Sequence, residues 1–396
     1  MSSRADRFDG WIRSSFVEMN TALEHLYFEQ EDRSNVEGLG DGIKAQLRDE
    51  GRVFVVSLLE EGNTGEGFDS GFGVLGSVGL YLAAMRRHEL TNPAREEQSP
   101  FAEASSLALH VGASLGMAPR FATSHLATHN LAVNGVQKRF TSLRDETLFL
   151  DENTRGILCV QRAADALARI VPLGVSHSAT LMLLMNARDA LCDVIRTNDR
   201  LFSELDVDRF FYCVRPYYKP YRVGRQEYRG ANAGDFSGIN EIDLLLGLCR
   251  ANDSYYAQLL LDKMPFLRPG DQARLRDCMT RTSLFDEFLN CAETAAGEPW
   301  FQRNAVAFLD VCDVYGRTAA QHHNGLVEKF IKRPADDLPE TRLAGMTASG
   351  PPLPVLLRSL EVLRDLRLAA PRDDIPSRHA CMARLKRLVA RAEPVA

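Results

Sequence analysis

The chain has 396 residues, 45% of them hydrophobic and 25% charged, with a formal net charge of −6. These proportions fit a globular protein of one large domain or two ordinary ones, with a core deep enough for a flat cofactor, and exclude a disordered chain. The acidic balance argues against a nucleic-acid partner and against an anionic membrane surface, both of which call for a basic excess.

The first residues, MSSRADRFDGWIRSSF, contain no apolar run of the secretory kind. No uninterrupted run of 18 apolar residues occurs, so a membrane-spanning helix is not expected. Eight cysteines (159, 192, 213, 249, 278, 291, 312 and 381) are scattered without a CxxC pair. In so long a chain that pattern reads as buried thiols in a reducing compartment, and a cytoplasmic location is expected.

Residues 1–100 are expected to form a smaller N-terminal helical unit. Its mark is a glycine cluster at 62, 65, 67, 71, 73, 76 and 79 that runs into the apolar stretch Val78 to Met85. Neither GxxxxGK[ST] nor a strand followed by GxGxxG is present, so a flexible loop feeding a closely packed helix is favoured over a phosphate cradle. The stretch 92–100, NPAREEQSP, reads as a linker. Residues 101–396 then form a large helical domain. Segments 157–170, 178–205, 239–262, 300–332 and 353–368 carry apolar residues at three- and four-residue spacing, and alternating strand patterns are scarce. The fold class is all-α. A polar stretch from Arg333 to Pro354 holds five prolines and reads as a lid or a surface excursion.

The segment 300–332 carries the main chemical signal. Pro299 stands at its first helical position and Arg333-Pro334 closes it. At 1.5 Å per residue an unbroken helix here would span roughly 50 Å. Its apolar stripe runs through Phe308, Cys312, Tyr315, Ala319, His323, Val327 and Phe330, while the row of His322 passes through Gly325 and Lys329 toward solvent. A histidine in an apolar stripe is either a hydrogen-bonded core residue or a ligand to metal or haem. The absence of a second histidine or carboxylate at i+4 makes zinc of the HExxH kind a poor fit, and a lone imidazole suits haem better. Cys312 and Cys249 are the thiolate alternatives, with inert buried thiols the simpler reading.

Three separated segments together resemble the tryptophan and indoleamine 2,3-dioxygenase superfamily of haem-dependent aromatic oxygenases. They are His323-Asn-Gly-Leu-Val-Glu-Lys-Phe-Ile331, the stretch from Tyr228-Arg-Gly230 through Asp243-Leu-Leu-Leu-Gly247, and Phe210-Phe211-Tyr-Cys-Val-Arg215. Thr347-Ala-Ser-Gly350 is similar to a degraded form of the superfamily's glycine–threonine loop. Within that superfamily the pyrrolnitrin-pathway synthases are the most similar, through Arg215-Pro-Tyr-Tyr-x-Pro-x-Arg222-Val-Gly224-x-Gln226-x-Tyr228-x-Gly230 and a His125-x-x-x-x-Asn130 segment leading to Gln137 and Phe140-Thr141.

The resemblance implies an indoleamine-dioxygenase-like helical fold with His323 as the iron ligand and cofactor-binding residue. Relatives that tether haem have a cysteine four residues beyond the ligand. Here that residue is Val327, so haem b bound non-covalently is expected. The same resemblance makes Arg215 the clamp for a substrate carboxylate, with Arg222 next in line and a haem propionate as the other partner for such an arginine. Phe210 and Phe211 would flank an aromatic substrate. Asn232, Ala233 and Gly234 would form a small-residue loop against the porphyrin. His125 and His129, four apart, are the candidate acid–base groups. Ser237 and Asp243 are read as structural.

The function expected is a histidine-ligated haem oxygenase of secondary metabolism that acts on tryptophan, tyrosine or a ring-modified derivative with O2 or H2O2. Hydroxylation, oxindole formation and the ring rearrangement of the pyrrolnitrin pathway are the alternative outcomes. A haem-binding sensor without turnover and a haem-free helical scaffold are the non-catalytic alternatives. No nucleic acid or membrane partner is expected, and the oligomeric state, a homodimer included, is left open.

Overall fold

The computed structural model describes residues 3–62, 67–231, 234–336 and 353–390. Helices make up 70% of the chain, in keeping with the all-α expectation. Helices α1 (Ser3–Arg13), α2 (Ser15–Phe28), α3 (Asp41–Glu61), α4 (Phe68–Arg87) and α5 (Ala102–Leu115) pack together first. Gly71, Gly73, Gly76 and Gly79 lie inside α4 rather than in a loop. Two of them are needed for close approach. A Cβ on Gly79 would stand 2.3 Å from the amide nitrogen of Phe121, and one on Gly76 would stand 2.6 Å from the His125 ring. By length and composition α4 could cross a membrane, but 78% of its apolar window is buried inside the fold, as in a core helix.

Helix α6 (Arg144–Ile170) lies against α7 (Thr180–Glu204). The one sheet among the described residues is a hairpin, β1 (Tyr221–Val223) with β2 (Gln226–Tyr228), in antiparallel register Tyr221 to Tyr228. The apolar run 239–262, expected as one helix, is two: α9 (Ser237–Leu246) and α10 (Ser254–Lys263). Gly247 ends the first in the left-handed region at φ 73°, and the Asp253 side chain caps the second by accepting from the Tyr256 N–H. Next come α11 (Pro269–Thr280), α12 (Leu284–Ala295) and α13 (Pro299–Gln321), followed by the helices Leu353–Arg367 and His379–Ala390.

The buried apolar residues divide into two main bodies. The first draws on residues 5–150 and 201–231, so it runs past the linker at 92–100 that suggested a boundary near residue 100. The second draws on 160–194 and 242–385, centred on α7, α12 and α13. The chain that leaves α13 crosses between them. Tyr315 belongs to the second body, Phe330 to the first, and Ile331 packs with Phe211 in a small cluster of its own. The site described next lies at this seam.

Candidate active site

Segment 207–218 changes helical pitch twice. The Asp206 side chain caps it by accepting the Arg209 N–H at 2.8 Å, α8 (Val207–Arg209) gives one α turn, and Phe210–Val214 widen to a π turn. Arg215–Tyr218 then tighten to a 3-10 turn around Pro216, which has no N–H to continue the ladder. The widened turn points neighbouring phenylalanines in different directions. Phe210 packs 5.0 Å from Phe149 and 6.0 Å from Phe330, while Phe211 packs on Ile331. The Arg215 guanidinium lies 5.5 Å from the Phe211 ring centre, and burial pulls its pKa down to about 10. The two phenylalanines and the arginine expected at the site are therefore brought to the histidine-bearing segment.

That segment is not the continuous α-helix expected over 300–332. It is α-helical to Gln321 and π-helical from His322 to Lys332, followed by the short α14 (Arg333–Asp336). Wide turns of this kind are rare and gather at functional positions. Packing against α7 holds the change of pitch. Gln321 donates to the Ile195 carbonyl and to Asp199, a Cβ on Gly325 would stand 2.5 Å from the Phe202 ring, and Lys329 donates to the Phe202 carbonyl. Gly325 and Lys329 thus face α7 and not solvent, because the π pitch rotates the rows set out for an α-helix.

Of the chain's nine histidines, His322 and His323 stand apart from the buried ones. His88 and His125 have both ring nitrogens in hydrogen bonds, and so does the half-buried His129. His322 and His323 make none among the described residues, and His323 Nδ1 is buried without a partner. His322 touches open space, yet burial, helped by the Arg367 charge, drags its pKa to about 4. His323 is half-buried toward Arg364, Glu361 and Asp365, and its pKa is lowered by burial first and then by Arg364. Both rings are neutral near pH 7, the form that can donate a lone pair to a metal.

One side of this region is basic. Asp243, read from sequence as structural, is a hub. It accepts from Tyr256 Oη at 2.6 Å, Tyr315 Oη at 2.8 Å and Arg367 Nε and Nη2 at 2.9 and 2.8 Å. Burial works against the Arg367 charge, but the Asp243 carboxylate outweighs it and raises the pKa. Lys263 donates to the Gly234 carbonyl and Asn240, and burial lowers its pKa to about 8. Arg229 grips Asp235 through two bonds of 2.8 and 3.0 Å. Deeper still, Arg120 is 1% exposed. Four cations thus face two carboxylates along the path from His322 to the 229–235 loop.

Other expected site residues lie elsewhere. His125 is a structural tie: Nδ1 accepts the Ala122 N–H at 2.8 Å, Nε2 donates to the Phe72 carbonyl at 3.0 Å, and the ring stacks on Phe72 at 3.8 Å. With both nitrogens committed it has no capacity for proton transfer to a ligand. His129 is held by Thr128 and Arg268, away from the histidine pair. Arg222, expected beside the substrate, braces the hairpin by donating to the carbonyls of Arg225 and Pro93. Burial raises the pKa of Cys249 and Cys312, so both are protonated thiols in this structure. All eight cysteines are free. The Gly234 carbonyl accepts from Lys263. Asn232, Ala233 and the Thr347–Gly350 loop lie outside the described residues.

The sequence reading missed Arg120, Lys263 and Arg367. Arg120 is a lone basic residue in an apolar stretch, Lys263 and Arg367 stand beside other charges, and only the fold gathers the three. Among the described residues no group of three or more histidine, cysteine or acidic side chains could hold a metal ion. The sequence profile of a family described as monodechloroaminopyrrolnitrin synthase PrnB matches residues 2–389 of the chain.

Proposed function

The chain belongs to the monodechloroaminopyrrolnitrin synthase family of the tryptophan and indoleamine 2,3-dioxygenase-like superfamily, and on that premise we propose that it holds haem b non-covalently at the histidine pair and uses it for the oxidative rearrangement of a tryptophan derivative. The family consists of haem-dependent oxidoreductases acting on a tryptophan derivative in pyrrolnitrin biosynthesis, which sets aside the sensor and scaffold alternatives.

The observation that carries the reading is the pair of neutral, unbonded imidazoles at the start of a π-helical turn whose later residues Phe330 and Ile331 pack on Phe210 and Phe211. The residues present suit haem in three respects. Two imidazoles are free to ligate, a row of cations would supply counter-charge to porphyrin propionates, and aromatic and aliphatic side chains would supply a dry surface. His323 is the proposed axial ligand, from its register with Val327 and Ile331. Val327 leaves no thiol for a covalent tether. When bound, haem supplies the redox centre at which O2 or H2O2 is activated.

The protein's own share is binding, orientation and exclusion of water. Arg215, buried and always charged, presents a fork that takes a carboxylate at two points and fixes the amino-acid end of the substrate. Phe210 and Phe211 then bound the space left for the indole ring. The small-residue loop Asn232–Gly234 is the proposed cover on the porphyrin. His125 and His129 are not assigned an acid–base role.

One observation favours a second reading, with His322 in the ligand's place: its ring, and not that of His323, lies under the Arg367 charge of the basic side. Absorption spectra of His323→Ala and His322→Ala proteins, purified with haem supplied, separate the two. Loss of the Soret band in His323→Ala alone is expected. Loss in His322→Ala alone moves the assignment by one residue, and full-strength bands in both remove axial ligation by this pair.

A further inference from the structure

Arg120 follows α5 in the Met117–Phe121 stretch, where Ala118 N–H bonds the Pro265 carbonyl and Gly79 lets the Phe121 backbone come close. Its guanidinium is sealed from solvent. Nε donates to the Phe121 carbonyl at 3.0 Å, while Nη1 and Nη2 are buried with no hydrogen-bond partner among the described residues. The Phe121 and Tyr221 rings each lie 4.9 Å from Cζ. These contacts hold the guanidinium in place and leave the Nη1–Nη2 fork as its unused side. Burial lowers its pKa, but an arginine remains charged, and a buried charge is costly unless something pairs with it.

Among the described residues no group provides that pairing. Asp235 is the nearest acid to act on Arg120, and both of its oxygens are held by Arg229. The Tyr221 hydroxyl donates to the Gly79 carbonyl. Lys263, on the other side of the 229–235 loop, bonds neutral oxygens. This end of the site holds more cations than anions.

We propose that Arg120 is a receptor for a carboxylate of a bound ligand, gripped at two points by the Nη1–Nη2 fork on the side of Arg229 and Asp235. The inference rests on the haem-enzyme reading above. That reading brings three carboxylates to the site, two on the porphyrin and one on the amino-acid substrate, whereas Arg215 accounts for one. A two-point grip on a planar carboxylate is the geometry a guanidinium supplies and an ammonium does not.

The test compares wild-type holoenzyme with Arg120→Gln and Arg120→Lys. Two quantities are read: the rate of haem loss to a scavenging globin, and the ratio of L-tryptophan to tryptamine affinity from Soret titration. If the carboxylate is the substrate's, Arg120→Gln lowers the tryptophan preference on the order of tenfold or more and leaves tryptamine binding and haem loss unchanged. If it is a porphyrin propionate, haem loss accelerates by a similar factor, the tryptophan-to-tryptamine ratio holds, and wild-type protein reconstituted with haem dimethyl ester loses its porphyrin as fast as the variant. Arg120→Lys keeps charge and stem and is read where the glutamine variant does not fold, with the same loss expected at smaller size. A folded variant that matches wild type in both quantities overturns the proposal. Wild-type protein without a Soret band defeats the haem reading instead, and the tryptophan-to-tryptamine comparison by calorimetry on the haem-free protein then decides Arg120 by itself.

Discussion

The Asp243 carboxylate receives Arg367 at two points, 2.9 and 2.8 Å, and Arg367 is the charge that acts most on His322. Tyr256 and Tyr315 close the remaining sides of the carboxylate, so one buried residue joins α9, α10, α13 and the helix Leu353–Arg367 behind the histidine pair. Removing one member of such a network strands the others. Asp243→Ala leaves a buried guanidinium and the Tyr256 phenol without an acceptor, while Tyr315 keeps the Ile239 carbonyl, and is expected to cost about 3–5 kcal/mol of stability. Urea denaturation of the single variants and of an Asp243→Ala/Arg367→Met double variant measures it. The double variant should lose less than the sum of the singles, and strict additivity would show that the pair is not coupled.

His125 makes the fold sensitive to acid. Burial is the main cause that lowers its pKa from 6.5 to about 3, so the folded state prefers the neutral ring. The stability this gives is present above pH 6.5 and is lost as pH falls toward 3. The slope is at most about 1.4 kcal/mol per pH unit for one such group. His125→Gln can still accept from Ala122 N–H and donate to the Phe72 carbonyl, but it cannot titrate. Chemical denaturation at pH 7, 6 and 5 should show a shallower fall for His125→Gln than for wild type, even if the variant starts lower. Equal slopes would mean that other groups set the acid limit.

Arg215 and Arg222 occupy one sequence motif but different surroundings, and their variants should diverge. Arg215→Ala is expected to cost roughly 2–5 kcal/mol in kcat/KM if its fork holds a desolvated substrate carboxylate. Arg222→Ala removes bonds to the Arg225 and Pro93 carbonyls and should leave kcat/KM within a factor of a few while loosening the hairpin. A substrate analogue without the carboxylate provides the check. The Arg215→Ala penalty should vanish with it, and a penalty of the same size would assign Arg215 to the porphyrin or to the fold.

The elements that sequence reading located are those set by local patterning. Pro299 opens α13, the spacing of Leu183, Ala187, Leu191 and Val194 makes α7, and the Phe210–Arg215 and His323–Ile331 segments do meet. The readings that failed depend on what lies across the fold. A histidine at helical spacing looks the same whether its nitrogens are free or, as in His125, bonded to Ala122 and Phe72 from other turns of the chain. Nothing local distinguishes Arg120 from a surface arginine, because its burial comes from Phe121 and from Tyr221, a hundred residues further on. The π pitch at His322 likewise follows from Gln321, Gly325 and Lys329 fitting α7. An α-helical wheel therefore put Gly325 on the wrong side.

That fit gives a prediction for the histidine segment itself. Gly325 allows the Phe202 ring to lie where a Cβ would be, at 2.5 and 2.6 Å from two ring carbons. Gly325→Ala must therefore push residues 322–332 away from α7 or drive Phe202 off its rotamer, an overpacking cost of about 1–3 kcal/mol. The displaced turn carries both histidines, so haem should be lost faster than the change in stability alone explains. Shortening the obstacle should reverse this: Gly325→Ala combined with Phe202→Leu makes room for the added methyl. Recovery of haem retention in the double variant, measured by transfer to a globin, would show that the Gly325–Phe202 contact sets the position of the ligand turn. Haem retention unchanged in Gly325→Ala would show that the turn is held by Gln321 and Lys329 alone.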